Sequence, residues 1–180
     1  KVLLQRYLPF SLRSVCVEGW SFRSFMQLIT SVPGKWRRRG QLRLLLSGPS
    51  ATGKTSLMRC FTEGLTPSGE HVVTMGFEFG VKSIVLGRAT SRTNLQIWDS
   101  SGLPMFRNGG ASHIRSMNAI LFFFDVSNPR SWSMTVQHAV ELYGNCNCRA
   151  AQIHVFCVAA KADLAGVTDE LHESVKVNQV

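Results

Sequence analysis

The chain has 180 residues, 44% of them hydrophobic, and a formal net charge of +9, the size of one globular domain with an extension. The charge is uneven: residues 1–40 hold eight Lys or Arg against a single acid, Glu18, while the remaining residues are close to neutral. That excludes a basic nucleic-acid-binding surface for the body of the chain. No apolar run approaches the ~20 residues of a membrane-spanning helix, and five cysteines, an odd number, argue against a disulfide framework.

Residues 1–40 form a basic N-terminal extension. Phe22, Phe25, Met26 and Ile29 have helical spacing, but Pro9, Gly19, Pro33 and Gly34 interrupt any long helix. The composition fits a targeting peptide, a membrane-surface helix or a segment with no function of its own. Lys35-Trp36-Arg37-Arg38-Arg39-Gly40 reads as a basic linker into the domain at 41–180.

From Gln41 the pattern changes. Gln41–Ser47 is a first strand and Lys54–Gly64 a first helix, followed by a loop rich in Gly, Thr, Pro and Ser. Phe77–Gly87 and Asn94–Trp98 read as two strands whose short connection makes them antiparallel. Met105–Met117 is helix-tolerant. Ala119–Val126 is a buried strand, Ser131–Tyr143 a helix with Trp132, Val136 and Val140 on one side, and Ile153–Ala160 another buried strand. Alternation of this kind predicts an α/β fold: a mostly parallel sheet between two helical layers, with ligands at the carboxyl ends of the strands. Cys60 and Cys157 fall in apolar segments as core thiols, and Cys146 and Cys148 stand in a turn-like stretch without a second pair to build a metal site.

The chemistry is concentrated after the first strand. Gly48-Pro49-Ser50-Ala51-Thr52-Gly53-Lys54-Thr55 is the G-x-x-x-x-G-K-[ST] phosphate-binding pattern in its strand–loop–helix setting. Glycines let successive N–H groups aim at a phosphate chain, and the helix start adds its positive dipole end, from Thr55 into Ser56. Lys54 is placed to reach the outer phosphates and the Thr55 hydroxyl to coordinate Mg²⁺. A second cluster, Leu95-Gln96-Ile97-Trp98-Asp99-Ser100-Ser101-Gly102, delivers an acid at a strand end that can hold Mg²⁺ through water, and a glycine whose N–H can approach a terminal phosphate. The third is Ala160-Lys161-Ala162-Asp163. The carboxylate of Asp163 can accept two hydrogen bonds from an amidine-like base edge, which guanine presents, while the Lys161 stem can cover the base.

With these residues the chain resembles a small GTPase of the Ras superfamily, on its Rab branch, over residues 41–165. Thr74-Met75-Gly76-Phe77-Glu78-Phe79 resembles the first switch, which implies Thr74 as the second Mg²⁺-binding hydroxyl. Phe106, Arg107 and Arg115 fall at matching positions in the second switch. The resemblance implies GTP or GDP with Mg²⁺ as ligands, with Lys54, Thr74 and Gly102 as the residues that serve catalysis. It further implies effector and exchange-factor proteins docking on the switches in vesicle traffic, and a cytoplasmic location with peripheral association at endomembranes; no nucleic-acid partner is expected.

The departures are specific. Leu103 stands where the family has Gln to position the attacking water, and an alkyl group cannot orient water, so hydrolysis should be slow. Ala160 replaces the Asn of the base motif, and Ala51 stands where the family often has Gly. The chain ends at Val180, before the family's last strand and helix, so the resemblance implies a sheet without them; no prenylation cysteines are present. Two readings stay open: a GTP-locked switch, and a pseudo-GTPase that serves as a nucleotide-independent interaction module.

Overall fold

A computed structural model describes residues 13–16, 40–65, 73–85, 92–102, 114–144 and 153–161. Its elements in chain order are β1 (Arg13–Cys16), β2 (Gln41–Ser47), α1 (Lys54–Glu63), β3 (Phe77–Val85), β4 (Arg92–Ser100), β5 (Ala119–Asp125), α2 (Pro129–Gly144) and β6 (His154–Ala160). The six strands form one sheet in the order β1-β6-β5-β2-β4-β3. Every neighbouring pair is parallel except β3 with β4, the expected hairpin.

Central strands carry apolar residues on both faces, so each face needs its own cover. Leu42, Leu44 and Leu46 of β2 point to one face with Leu121 and Phe123 of β5 and Phe156 and Val158 of β6. There Leu57, Met58 and Phe61 of α1 close the core. On the other face Leu45, Ile120, Phe122, Val155 and Cys157 meet Ala139 of α2, with Trp132, Val136 and Leu142 packed beside it. Two cores on opposite sides of one sheet give the three-layer α/β architecture that the alternating pattern predicts. Cys157 lies buried there as a free thiol, pushed up to about 12 by burial and so inert; Cys60 is also free.

Asn118 fixes the amino ends of three strands. Its side-chain carbonyl accepts from Arg43 N (2.8 Å), and its own N–H donates to Arg43 O (2.9 Å). Its backbone carbonyl accepts from His154 N (3.0 Å). The stitch sets the register of β2, β5 and β6, and so brings their carboxyl ends level at the opposite edge, where the loops gather.

Within the N-terminal extension, Arg13–Cys16 pairs parallel with β6, Arg13 opposite Phe156 and Cys16 opposite Ala159. Met105, Phe106, Arg107, Cys146 and Cys148 lie outside the described residues. No described helix is long and apolar enough to cross a membrane.

Candidate functional site

The site forms where β2, β4, β5 and β6 end. β2 runs out at Ser47 and the chain turns tightly into α1. Gly48 adopts φ 137°, and a Cβ there would lie 2.4 Å from the carbonyl oxygen of Phe123, so no other residue fits. Ala51 follows with φ 62°, a left-handed conformation that costs a non-glycine residue about 1–2 kcal/mol. Thr52 ties the loop to itself, donating to Pro49 O at 2.9 Å.

Gly53, at φ 86°, begins α1 with no side-chain cap, and the first turn holds no acid. The helix therefore presents its first N–H groups and positive dipole end to whatever anion enters the loop. Lys54 points into the same space. Its ammonium donates to Gly48 O (2.9 Å) and Pro49 O (2.8 Å). Burial brings it down to about 8, against the attraction of Asp99.

Thr55, one residue further, meets the segment before β3 and the end of β4. Its hydroxyl lies 2.9 Å from the Thr74 hydroxyl and donates a hydrogen bond to Asp99 Oδ2. Asp99 is fully buried, and its Oδ1 has no hydrogen-bond partner among the described residues. Burial pushes its carboxyl up to about 6; the Thr55 hydrogen bond and Lys54 pull it down, while Glu78, opposite it on β3, pushes it further up. Two hydroxyls and a carboxylate with an unspent oxygen make a hard-oxygen set suited to Mg²⁺. The donor chemistry and the orphaned oxygen both fit that ion.

Ser100 and Ser101 tie the end of β4 to the chain on either side of it. The Ser100 hydroxyl donates to Leu46 O (2.7 Å) and Ser101 N donates to Gly76 O (2.8 Å). Gly102 then passes so close to the loop that a Cβ would lie 2.2 Å from Ser50 N and 2.5 Å from the Pro49 carbonyl carbon. Only glycine permits that approach. Leu103 and Asp163 lie outside the described residues.

At the far side, Lys161 leaves β6 at φ 61° and its ammonium forms a 2.7 Å ion pair with Asp125 Oδ2. Burial would raise the Asp125 carboxyl, but the Lys161 ammonium and the Ser127 hydroxyl and N–H hold it below its usual value. Val126 N donates to Ala160 O (3.1 Å), so the ends of β5 and β6 are joined by backbone where Ala160 offers no amide. Asp125 and Ser127 escaped the sequence reading. An acid closing an apolar strand was the available signal, since Asp125 ends β5 as Asp99 nearly ends β4.

Loop, uncapped helix, buried lysine and paired hydroxyls beside a strand-end carboxylate together define a phosphate-binding-loop nucleotide protein. Comparison with known sequences narrows this. The model of the family described as Ras family matches residues 43–180. Human Ras-related protein Rab-30 is 36% identical over 90 residues, covering 50% of this chain and 43% of that protein. The GTP-binding protein ypt2 of Schizosaccharomyces pombe is 36% identical over 152 residues, 76% of this chain and 74% of that protein. Human Ras-related protein Rab-25 is 31% identical over 123 residues, 68% and 55% respectively. The chain belongs to the Ras family of small GTPases and is Rab-like. It spans about half the length of the Rab-30 and Rab-25 sequences it matches.

Proposed function

We propose that this chain is a Rab-like molecular switch that binds GTP and GDP with Mg²⁺, hydrolyses GTP slowly and acts in vesicle trafficking. The convergence of Lys54, Thr55, Thr74 and Asp99 at the uncapped start of α1 carries the reading. Each group has an unmet demand that a nucleotide meets. The α1 N–H groups need an acceptor. The Lys54 ammonium, held on two loop carbonyls, can exchange one of them for a phosphate oxygen, and nearby negative charge restores its proton affinity. Thr55, Thr74 and Asp99 would hold Mg²⁺, which when bound neutralises charge building on the phosphates. The hydrogen bond between Thr55 and Asp99 presets the carboxylate, and the contact between Thr55 and Thr74 brings the first switch to the loop.

In this reading Gly102 offers its N–H to the terminal phosphate, and its close approach to Ser50 and Pro49 is the feature that lets it do so. Asp163 selects guanine and Lys161 lies along the base, with its ammonium drawn to Asp125. Leu103 leaves the attacking water without a side-chain hydrogen-bond partner, so turnover falls while binding persists. Effector and exchange-factor proteins dock on the switch segments around β3, where Phe79 and Val81 are exposed beside Trp98. The location is cytoplasmic, with peripheral association at endomembranes.

The test is direct. The purified chain is denatured and the released nucleotide is identified by ion-exchange chromatography, alongside the Lys54→Ala variant. Guanine nucleotide from the parent and none from Lys54→Ala is the expected result. Nucleotide retained equally by both would refute the assignment of the phosphate loop. A second reading, a pseudo-GTPase serving as an interaction module, draws support from Ala160, which gives the base loop no amide. A folded chain that releases no nucleotide would decide for that reading.

A further inference from the structure

Asp125 is held more firmly than the last residue of a strand needs to be. Its N–H donates to the Ser131 hydroxyl (2.8 Å) and its carbonyl accepts from Asn128 N (3.1 Å). Its Oδ1 accepts from both the N–H (2.9 Å) and the hydroxyl (2.6 Å) of Ser127. Backbone and carboxylate are thus fixed together, and Oδ2 is left facing the Lys161 ammonium at 2.7 Å. Lys161 is the first residue beyond β6, in a left-handed conformation that a residue with a Cβ adopts reluctantly. The ion pair, and the backbone bond from Val126 N to Ala160 O just before it, tie that turn to the end of β5. The pair lies near the phosphate loop. A Cβ on Gly48 would meet the carbonyl of Phe123, and Phe123 stands two residues before Asp125, about 7 Å back along the same strand.

We propose that Asp125, with Ser127 behind it, is a positioning residue that stretches the Lys161 side chain along a bound purine and so sets how long the nucleotide stays. This rests on the nucleotide-binding reading above. A lysine stem is flexible, and ordering it each time a base lies on it draws on the free energy of binding. Here both ends are fixed before the ligand arrives, the root by the turn after β6 and the tip by Asp125. The stem between them becomes a preformed apolar rail. The Asp125 side chain is only 11% exposed, so water competes little for its carboxylate. The Lys161 side chain is 34% exposed, and a pair that is partly wet adds little to the stability of the fold. Breaking it should therefore be felt by the ligand more than by the folded chain. Ala160 gives the base loop no amide, which leaves more of the ordering to this pair.

The test is the lifetime of bound GDP on the full chain in Mg²⁺, followed as loss of radiolabelled GDP from filter-retained protein after a chase with unlabelled GDP. Asp125→Asn keeps an acceptor for Ser127 and removes the charge. Lys161→Met keeps an apolar stem and removes the ammonium. Each should speed dissociation about three- to tenfold, the range set by ordering one long side chain. The double variant should dissociate no faster than the faster single variant, because both changes break the same link. A residue that merely supports the fold would instead multiply its factor by that of Lys161→Met.

Equal rates in the parent and Asp125→Asn would overturn the proposal, and so would a double variant whose factor is the product of the two singles. Should Asp125→Asn fold poorly, Lys161→Met and Lys161→Arg decide between them. Arginine keeps a charge for Asp125, so Lys161→Arg should stay closer to the parent than Lys161→Met, and the reverse order would overturn the assignment. A parent that retains no labelled GDP would overturn the nucleotide-binding reading, and this inference with it. A parent that retains GDP beside an unaltered Asp125→Asn would overturn this inference alone.

Discussion

Replacing Asp99 with Asn should stabilise the empty protein while removing its response to Mg²⁺. The Asp99 carboxyl is fully buried, and burial holds it at about 6, against 3.8 for the unperturbed group. Ionising it inside the fold therefore costs ~3 kcal/mol more than ionising it in water. The sign follows from proton uptake. Below pH 3.8 the group is protonated in both states and costs nothing. Between 3.8 and about 6 the unfolded chain gives up the proton while the folded chain keeps it, so stability falls as pH rises. Above about 6 the loss is complete. Asp99→Asn abolishes this slope, so the variant should gain ~1 kcal/mol at pH 4.5 and up to ~3 kcal/mol at pH 7.5. Lys54 loses the attraction of Asp99 in the variant, which trims the higher figure to about 2 kcal/mol. Urea unfolding in EDTA without nucleotide, at both pH values, measures the gain from the midpoint and slope. A gain that does not grow with pH, or a loss at pH 7.5, would refute the account of a charge buried for the sake of its ligand.

Ala51→Gly should release the left-handed strain, ~1–2 kcal/mol, less the ~0.4–1 kcal/mol by which glycine favours the unfolded chain. A net rise of ~0.5–1 kcal/mol, read as a melting temperature about 1–4 °C higher, is expected; a fall would mean the loop does not need that conformation. Gly102→Ala places a methyl 2.2 Å from Ser50 N. Backbone cannot swing aside as a side chain can, so the chain leaving β4 must move off the loop at a cost of ~1–3 kcal/mol. Weakened GTP binding with little change in GDP binding is the expected readout, and equal weakening would show that the contact serves the loop alone. Leu103→Gln should raise single-turnover GTP hydrolysis, and an unchanged rate would show that water positioning is not the limiting defect.

The phosphate loop was legible because its constraints are local: a tight turn, two glycines and a helix start fall within eight consecutive residues. The β3–β4 hairpin and the buried strands were legible from short connections and unbroken apolar runs. β1 was not. Four residues without periodicity carry no strand signal, and their partner Phe156–Ala159 lies more than a hundred positions away. The ion pair of Lys161 with Asp125 was missed for a related reason. The resemblance speaks only to the lysine's stem, whereas the end of the neighbouring strand decides where its ammonium rests. The strain at Ala51 was visible only as an unusual residue, because a conformation is a property of the folded loop.

The missing cap on α1 has a kinetic side. Most helices begin with a side chain that satisfies their first N–H groups at all times, but Gly53 supplies none. In the proposed reading that role falls to a bound phosphate, which comes and goes. Between visits the first turn is held by Leu57 N on Gly53 O and by the bonds of Lys54 and Thr55, while its leading N–H groups stay open. Amide exchange in that turn would then report occupancy of the loop, faster when it is empty and slower when it is filled.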